Sequence, residues 1–164
     1  MFVHRMTLVL ATLLVCAAPL AAQVTGADSD LNDNFVDSDL DVQTWVERFE
    51  GESREVFSER RAVLKATGVK AGDRVADIGA GTGLYTRLFA EAVGAKGWVH
   101  AVDISTAFLQ HINRTNAELG LGNVTAVLGQ FESITLPPDS VDLAFVCDTY
   151  HHLEAVEPML ASIH

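Results

Sequence analysis

The chain of 164 residues sets 22 acidic against 11 basic side chains, a formal net charge of −11, and 49% of it is hydrophobic. That is one domain's length with apolar content enough for a core. The acid excess excludes nucleic acid and anionic membrane surfaces as electrostatic partners.

Residues 1–22 open with His4 and Arg5, run apolar from Met6 to Ala18, and end in Pro19, Ala21 and Ala22. This is the layout of a secretory leader, too short for a membrane span. The expectation is an exported chain, periplasmic or secreted, with no stable span once the leader is removed; a mis-called start would make it cytoplasmic. Cys16 lies inside the apolar run behind bulky Val15, which argues against a lipoprotein site. Removal of the leader leaves Cys147 alone and no internal disulfide.

Residues 23–40 are polar and aspartate-rich and read as a disordered lead-in. Asp28, Asp30 and Asn32, with Asp39, are spaced like calcium-loop ligands. Asp33, however, stands where such a loop needs glycine, and no metal is assigned. Residues 41–68 predict an N-terminal helical cover. Asp41 caps a helix with Val42, Trp45, Val46 and Phe49 on one face, and after Gly51 a second helix runs from Ser53 to Gly68.

From residue 69 the pattern alternates. Strands are expected over 74–77, 98–102, 124–128 and 141–146, and helices over 84–92, 106–119 and 153–163. Short apolar strands alternating with helices predict a doubly wound α/β fold on a parallel sheet.

The first strand ends in Asp77-Ile78-Gly79-Ala80-Gly81-Thr82-Gly83. Glycines let the backbone approach a ligand closely, and the following helix points free N–H groups at the loop. A dinucleotide fingerprint needs a third glycine where Leu84 or Thr86 stands, and no G-x-x-x-x-G-K-[ST] run exists. An NAD-dependent oxidoreductase is therefore the weaker alternative.

The D-x-G-x-G-x-G stretch resembles the first motif of class I S-adenosylmethionine-dependent methyltransferases. Val102-Asp103-Ile104-Ser105 is similar to their second motif. Leu136 to Asp142, followed by Asp148-Thr149-Tyr150-His151-His152-Leu153, is similar to their fourth-strand region. The wording is closest to the ubiquinone/menaquinone-type methylases, and the similarity runs from about Val69 to the last residue. The resemblance implies that Gly79, Ala80, Gly81 and Gly83 line the methionine arm of S-adenosyl-L-methionine, with Asp77 near its cationic end. Asp103, an acceptor when ionised, would take the ribose hydroxyls and Ile104 would pack on adenine. Gln130 would stand where relatives often place an acid for the adenine amino group, with Glu132 as the alternative.

Methyl transfer from a sulfonium needs a base only if the acceptor must lose a proton. His151 and Asp148 are the candidate catalytic residues, weighed against a packing and lining role for 150–153. Asp148 with His151 or His152 lacks the further acids a magnesium site wants.

The implied activity is methyl transfer to a small molecule; a non-catalytic cofactor-binding module or inactive remnant is the alternative. The resemblance also implies further strands beyond residue 164, so a C-terminally truncated domain is expected. The apolar strand 141–146 would then be an open edge unless an oligomer covers it.

Overall fold

The computed structural model describes residues 7–10, 31–37 and 39–163. The N-terminal part contributes strand β1 (Thr7–Leu10), then helices α1 (Asp33–Val36), α2 (Val42–Phe49), α3 (Glu55–Ser58) and α4 (Arg60–Thr67). The alternating part is β2 (Arg74–Ile78), α5 (Leu84–Val93), β3 (Trp98–Asp103), α6 (Thr106–Glu118), β4 (Val124–Leu128), β5 (Leu143–Val146) and α7 (Val156–Ile163). All strand pairings are parallel, in the order β1-β5-β2-β3-β4.

The expected doubly wound fold is present. The chain winds outward from β2 through β3 to β4, then crosses back to lay β5 on the other side of β2. The strand order therefore reverses beside the carboxyl end of β2, which is where open α/β sheets place ligands. The alternation of side chains divides the core. Val75, Leu143 and Phe145 face Tyr85, Phe89 and Val93 of α5, while Ala76, Ile78, Ala144 and Val146 face Met159 and Ile163 of α7. Phe145 stacks between Tyr85 at 4.8 Å and Phe89 at 5.0 Å, and burial of each such ring contributes about 1.5–3 kcal/mol.

Four expectations need correction. The edge beside β5 is paired within the chain by Thr7–Leu10, a segment assigned to the leader, so no oligomer is required to cover it. The rest of the leader, the lead-in to residue 30, and Asp28 and Asp30 of the calcium reading lie outside the described residues. Residues 31–36 are not a disordered lead-in: Asn32 is 3% exposed, and its amide donates to the His152 carbonyl and to Glu154 Oε1. The helix expected over 53–68 breaks at Glu59. There Arg60 stacks on Phe57 and donates to the Phe57 carbonyl at 2.6 Å, taking an acceptor the helix would use. The last helix begins at Val156 rather than 153, because a 3-10 turn over Tyr150–His152 and an extended Leu153 precede it.

Other local signals act as read. Asp41 accepts from the Gln43 N–H at the start of α2, and Gly68 ends α4 with φ +69°.

Candidate cofactor and acceptor site

At the strand-order reversal a cavity of about 510 Å³ opens between the sheet and the N-terminal helices. Its floor is the glycine loop. Gly79 and Gly81 have φ +69° and +53°, a left-handed conformation that side chains resist. A Cβ on Gly79 would also stand 2.2 Å from Thr149 Cγ2, so the loops after β2 and β5 meet only because residue 79 is bare. Thr149 Oγ1 donates to the Cys147 carbonyl at 3.0 Å and lies 3.3 Å from that of Gly79, holding the two loops together.

Two carboxylates end adjacent strands. Asp77, 3% exposed, accepts from Thr86 Oγ1 at 2.6 Å. Burial pushes its pKa up to about 6; the Thr86 hydrogen bond opposes this and the neighbouring Asp103 charge adds to it. Asp103 accepts from the Gly81 N–H through Oδ2 and from the Ser105 N–H through Oδ1, each at 2.8 Å. Burial raises its pKa as well, against those backbone hydrogen bonds. The Ile104 N–H also reaches this carboxylate, which keeps acceptor capacity for a ligand hydroxyl. Two acids desolvated side by side favour a cationic ligand between them.

Ala80, Ile104 and Gln130 also line the cavity, while Glu132 does not. Gly83 does not line it. With φ +82° it turns the loop into α5, and a Cβ there would stand 2.8 Å from Ile112 Cγ1, so its bareness serves helix packing.

Of the two candidate catalytic residues, His151 lines the cavity, exposed, with its ring 4.2 Å from that of His152. Asp148 lines it too, but its carboxylate is engaged by Arg54. His152 meets Phe35 edge-on at 5.2 Å, and its buried Nδ1 has no partner. Burial lowers its pKa, so the ring is neutral near pH 7. Burial also pushes the Cys147 thiol up to about 11, which makes it a poor nucleophile. Among the described residues no cluster of His, Cys, Asp and Glu could hold a metal ion.

The roof is what sequence reasoning missed. Phe35, Trp45 and Phe49 form a chain of tilted rings that reaches Phe108 of α6 and covers the cavity. The face of α2 was legible as apolar. What it packs against was not, and nothing in residues 31–36 signalled an inward-facing Asn32 or Phe35.

A methyltransferase domain family matches residues 75–164, more than half of the chain. The chain belongs to that family. The ubiquinone/menaquinone biosynthesis C-methyltransferase UbiE of Pseudomonas paraeruginosa is 35% identical over 106 residues, covering 62% of this chain and 41% of that protein. The chain thus spans about two fifths of the length of the curated relatives it matches. Among solved structures, a SAM-dependent methyltransferase from Aquifex aeolicus superposes with TM-score 0.67 at 30% identity, covering 73% of this chain and 64% of that one. The YcgJ protein of Bacillus subtilis superposes with TM-score 0.58 at 25% identity, covering 65% of this chain and 44% of that one.

The class I methyltransferase fold follows for this chain, and the Aquifex aeolicus neighbour is named as dependent on S-adenosylmethionine. The residues fit that cofactor: a bare loop for the methionine arm, Asp103 with acceptor capacity for a ligand hydroxyl, and Asp77 desolvated where a cation would relieve it. The dinucleotide reading does not fit, since Leu84 and Thr86 occupy the positions of its third glycine.

Proposed function

We propose that this chain binds S-adenosylmethionine and transfers its methyl group to a small-molecule acceptor. The observation that carries the reading is the pair of buried carboxylates, Asp77 and Asp103, at the tips of neighbouring parallel strands on either side of a positive-φ glycine loop. Gly79 to Gly81 would hold the methionine arm, Asp103 the ribose hydroxyls, Ile104 one adenine face and Gln130 its amino edge. The bound cofactor supplies a methyl group already activated as a sulfonium, with a thioether as leaving group.

The chain's own task is then to hold the acceptor in line and exclude water. The aromatic roof and the apolar side chains of Leu153 and Met159 line the space left for the acceptor. His151, exposed to the cavity, is the group placed to take a proton from a hydroxyl or amine acceptor. Asp148, held by Arg54, orients the rim instead. We also propose that residues 1–22 direct export, on the charge and apolar pattern described above, so that β1 pairs with β5 only while the leader is attached.

Calorimetric titration of the full chain with S-adenosylmethionine tests the cofactor half. Saturable binding abolished by Asp103→Ala is expected, and a folded chain that takes up no S-adenosylmethionine would overturn the reading. Label transfer from methyl-labelled cofactor to a panel of small phenols, amines and activated carbons then tests the transfer itself.

A further inference from the structure

The C-terminal end of α2 is bound to the glycine loop through a network of side-chain hydrogen bonds. Glu50 Oε1 accepts from Thr82 Oγ1 at 2.8 Å, and its two carboxylate oxygens accept from Arg87 Nη2 at 2.8 and 2.7 Å. Arg87 Nη1 closes the circuit by donating to the Thr82 carbonyl at 2.9 Å. The ion pair is largely shielded, with Arg87 and Glu50 side chains 18% and 16% exposed. Thr82 lies between Gly81 and Gly83 and lines the cavity. One residue before Glu50, Phe49 lies 3.8 Å from the place a Cβ of Gly81 would take.

The glycine loop is thus held by two carboxylates. Asp103 holds the Gly81 N–H from the sheet side, and Glu50 holds Thr82 from the roof. Glycines on both sides of Thr82 make the loop intrinsically loose, so external tethers decide its shape. The Asp103 tether belongs to the floor and stays when the roof moves. The Glu50 tether is the one that joins loop shape to roof position.

We propose that Glu50 is a positioning residue for the cofactor. It clamps the roof helix to the glycine loop, so that closure of the roof and the binding shape of the loop are set together. The proposal rests on the S-adenosylmethionine reading above. Glu50 does not itself touch the cofactor; it acts through Thr82 and Arg87.

The test uses S-adenosylhomocysteine, the non-reactive product, and the full chain carrying Trp98→Phe. The chain has two tryptophans, so Trp45 in the roof then reports alone. Glu50→Gln removes the charge but keeps the shape. It is expected to raise the product's dissociation constant roughly tenfold, mostly through faster dissociation read from Trp45 emission, because hydrogen bonds to charged groups are the strong ones. Thr82→Val removes only the hydroxyl limb and is expected to give roughly a threefold loss, within the range for one neutral hydrogen bond. The exchanged pair Glu50→Arg with Arg87→Glu is expected to recover part of the affinity, which a loss of general stability would not do.

Unchanged dissociation in both Glu50→Gln and Thr82→Val, beside a parent chain that binds, would overturn the clamp alone. Should Glu50→Gln not fold, an unchanged Thr82→Val overturns it equally. A folded parent chain that binds neither the product nor S-adenosylmethionine would overturn the cofactor reading, and the clamp with it.

Discussion

The hydroxyl of Thr86, one turn into α5, donates to the buried carboxylate of Asp77 at the tip of β2 over 2.6 Å. That hydrogen bond favours the charged carboxylate, yet burial outweighs it and the pKa is pushed up to about 6. A carboxylate kept at such a disadvantage is what a cationic ligand relieves.

The first prediction concerns pH. Between about pH 4 and pH 6 the folded chain keeps a proton on Asp77 that the unfolded chain has already released. Stability from this group is therefore fully present at low pH and is lost as pH rises through 6, by about 3 kcal/mol in all. Asp77→Asn keeps the shape and removes the titration. The difference in melting temperature, variant minus parent, is expected to grow from near zero at pH 4 to its full value above pH 6. The same variant is expected to bind S-adenosylmethionine more weakly at pH 7. Thermal melts across pH 4–7.5 and one calorimetric titration check both signs.

Gly79→Ala brings a Cβ to within 2.2–2.8 Å of three Thr149 side-chain atoms, at a φ of +69°. The expected result is a loss of about 3 kcal/mol or more in unfolding free energy, since overpacking and left-handed strain add. Adding Thr149→Ala is expected to restore the overpacking part and leave about 1–2 kcal/mol for the backbone. Urea unfolding of the two variants measures the split.

Proline at residue 9 has no N–H and breaks β1, which lies against β5 in the register Val9↔Phe145. The backbone of 143–146 loses its outer neighbour while its buried side chains stay in the core. Hydrogen exchange over 143–146 is expected to accelerate at least tenfold in Val9→Pro, with increased self-association at the uncovered edge. Unchanged exchange would show that β5 does not depend on the N-terminal segment.

Asp148 is held by Arg54 across the mouth of the cavity. Asp148→Asn is therefore expected to lower turnover no more than about threefold and to leave the shape of the pH–rate profile unaltered. His151→Gln should lower turnover by about a hundredfold if the acceptor loses a proton. Initial rates from pH 5.5 to 9 with any acceptor found active separate the two residues.

The sheet and the floor of the site were legible because they are local. Apolar runs four to six residues long, helical periodicity between them, and an acid–glycine loop at one strand's end are all patterns of near neighbours. Positive φ at residues 79 and 81 favours glycine wherever the rest of the chain lies. The roles of Gly83, Asp148 and residues 31–36 were decided by partners far away in sequence: Ile112 for the first, Arg54 for the second, and His152 with Glu154 for Asn32. The use of Thr7–Leu10 as a strand is of the same kind. An apolar run reads as a leader by its flanks, while pairing depends on an edge more than 130 positions away. Periodicity tells which face of an element is apolar, but only packing tells what that face meets. The roof, its clamp and the space for the acceptor therefore came from the tertiary structure, while the acid–glycine loop came from the order of residues and its ligand from a family resemblance.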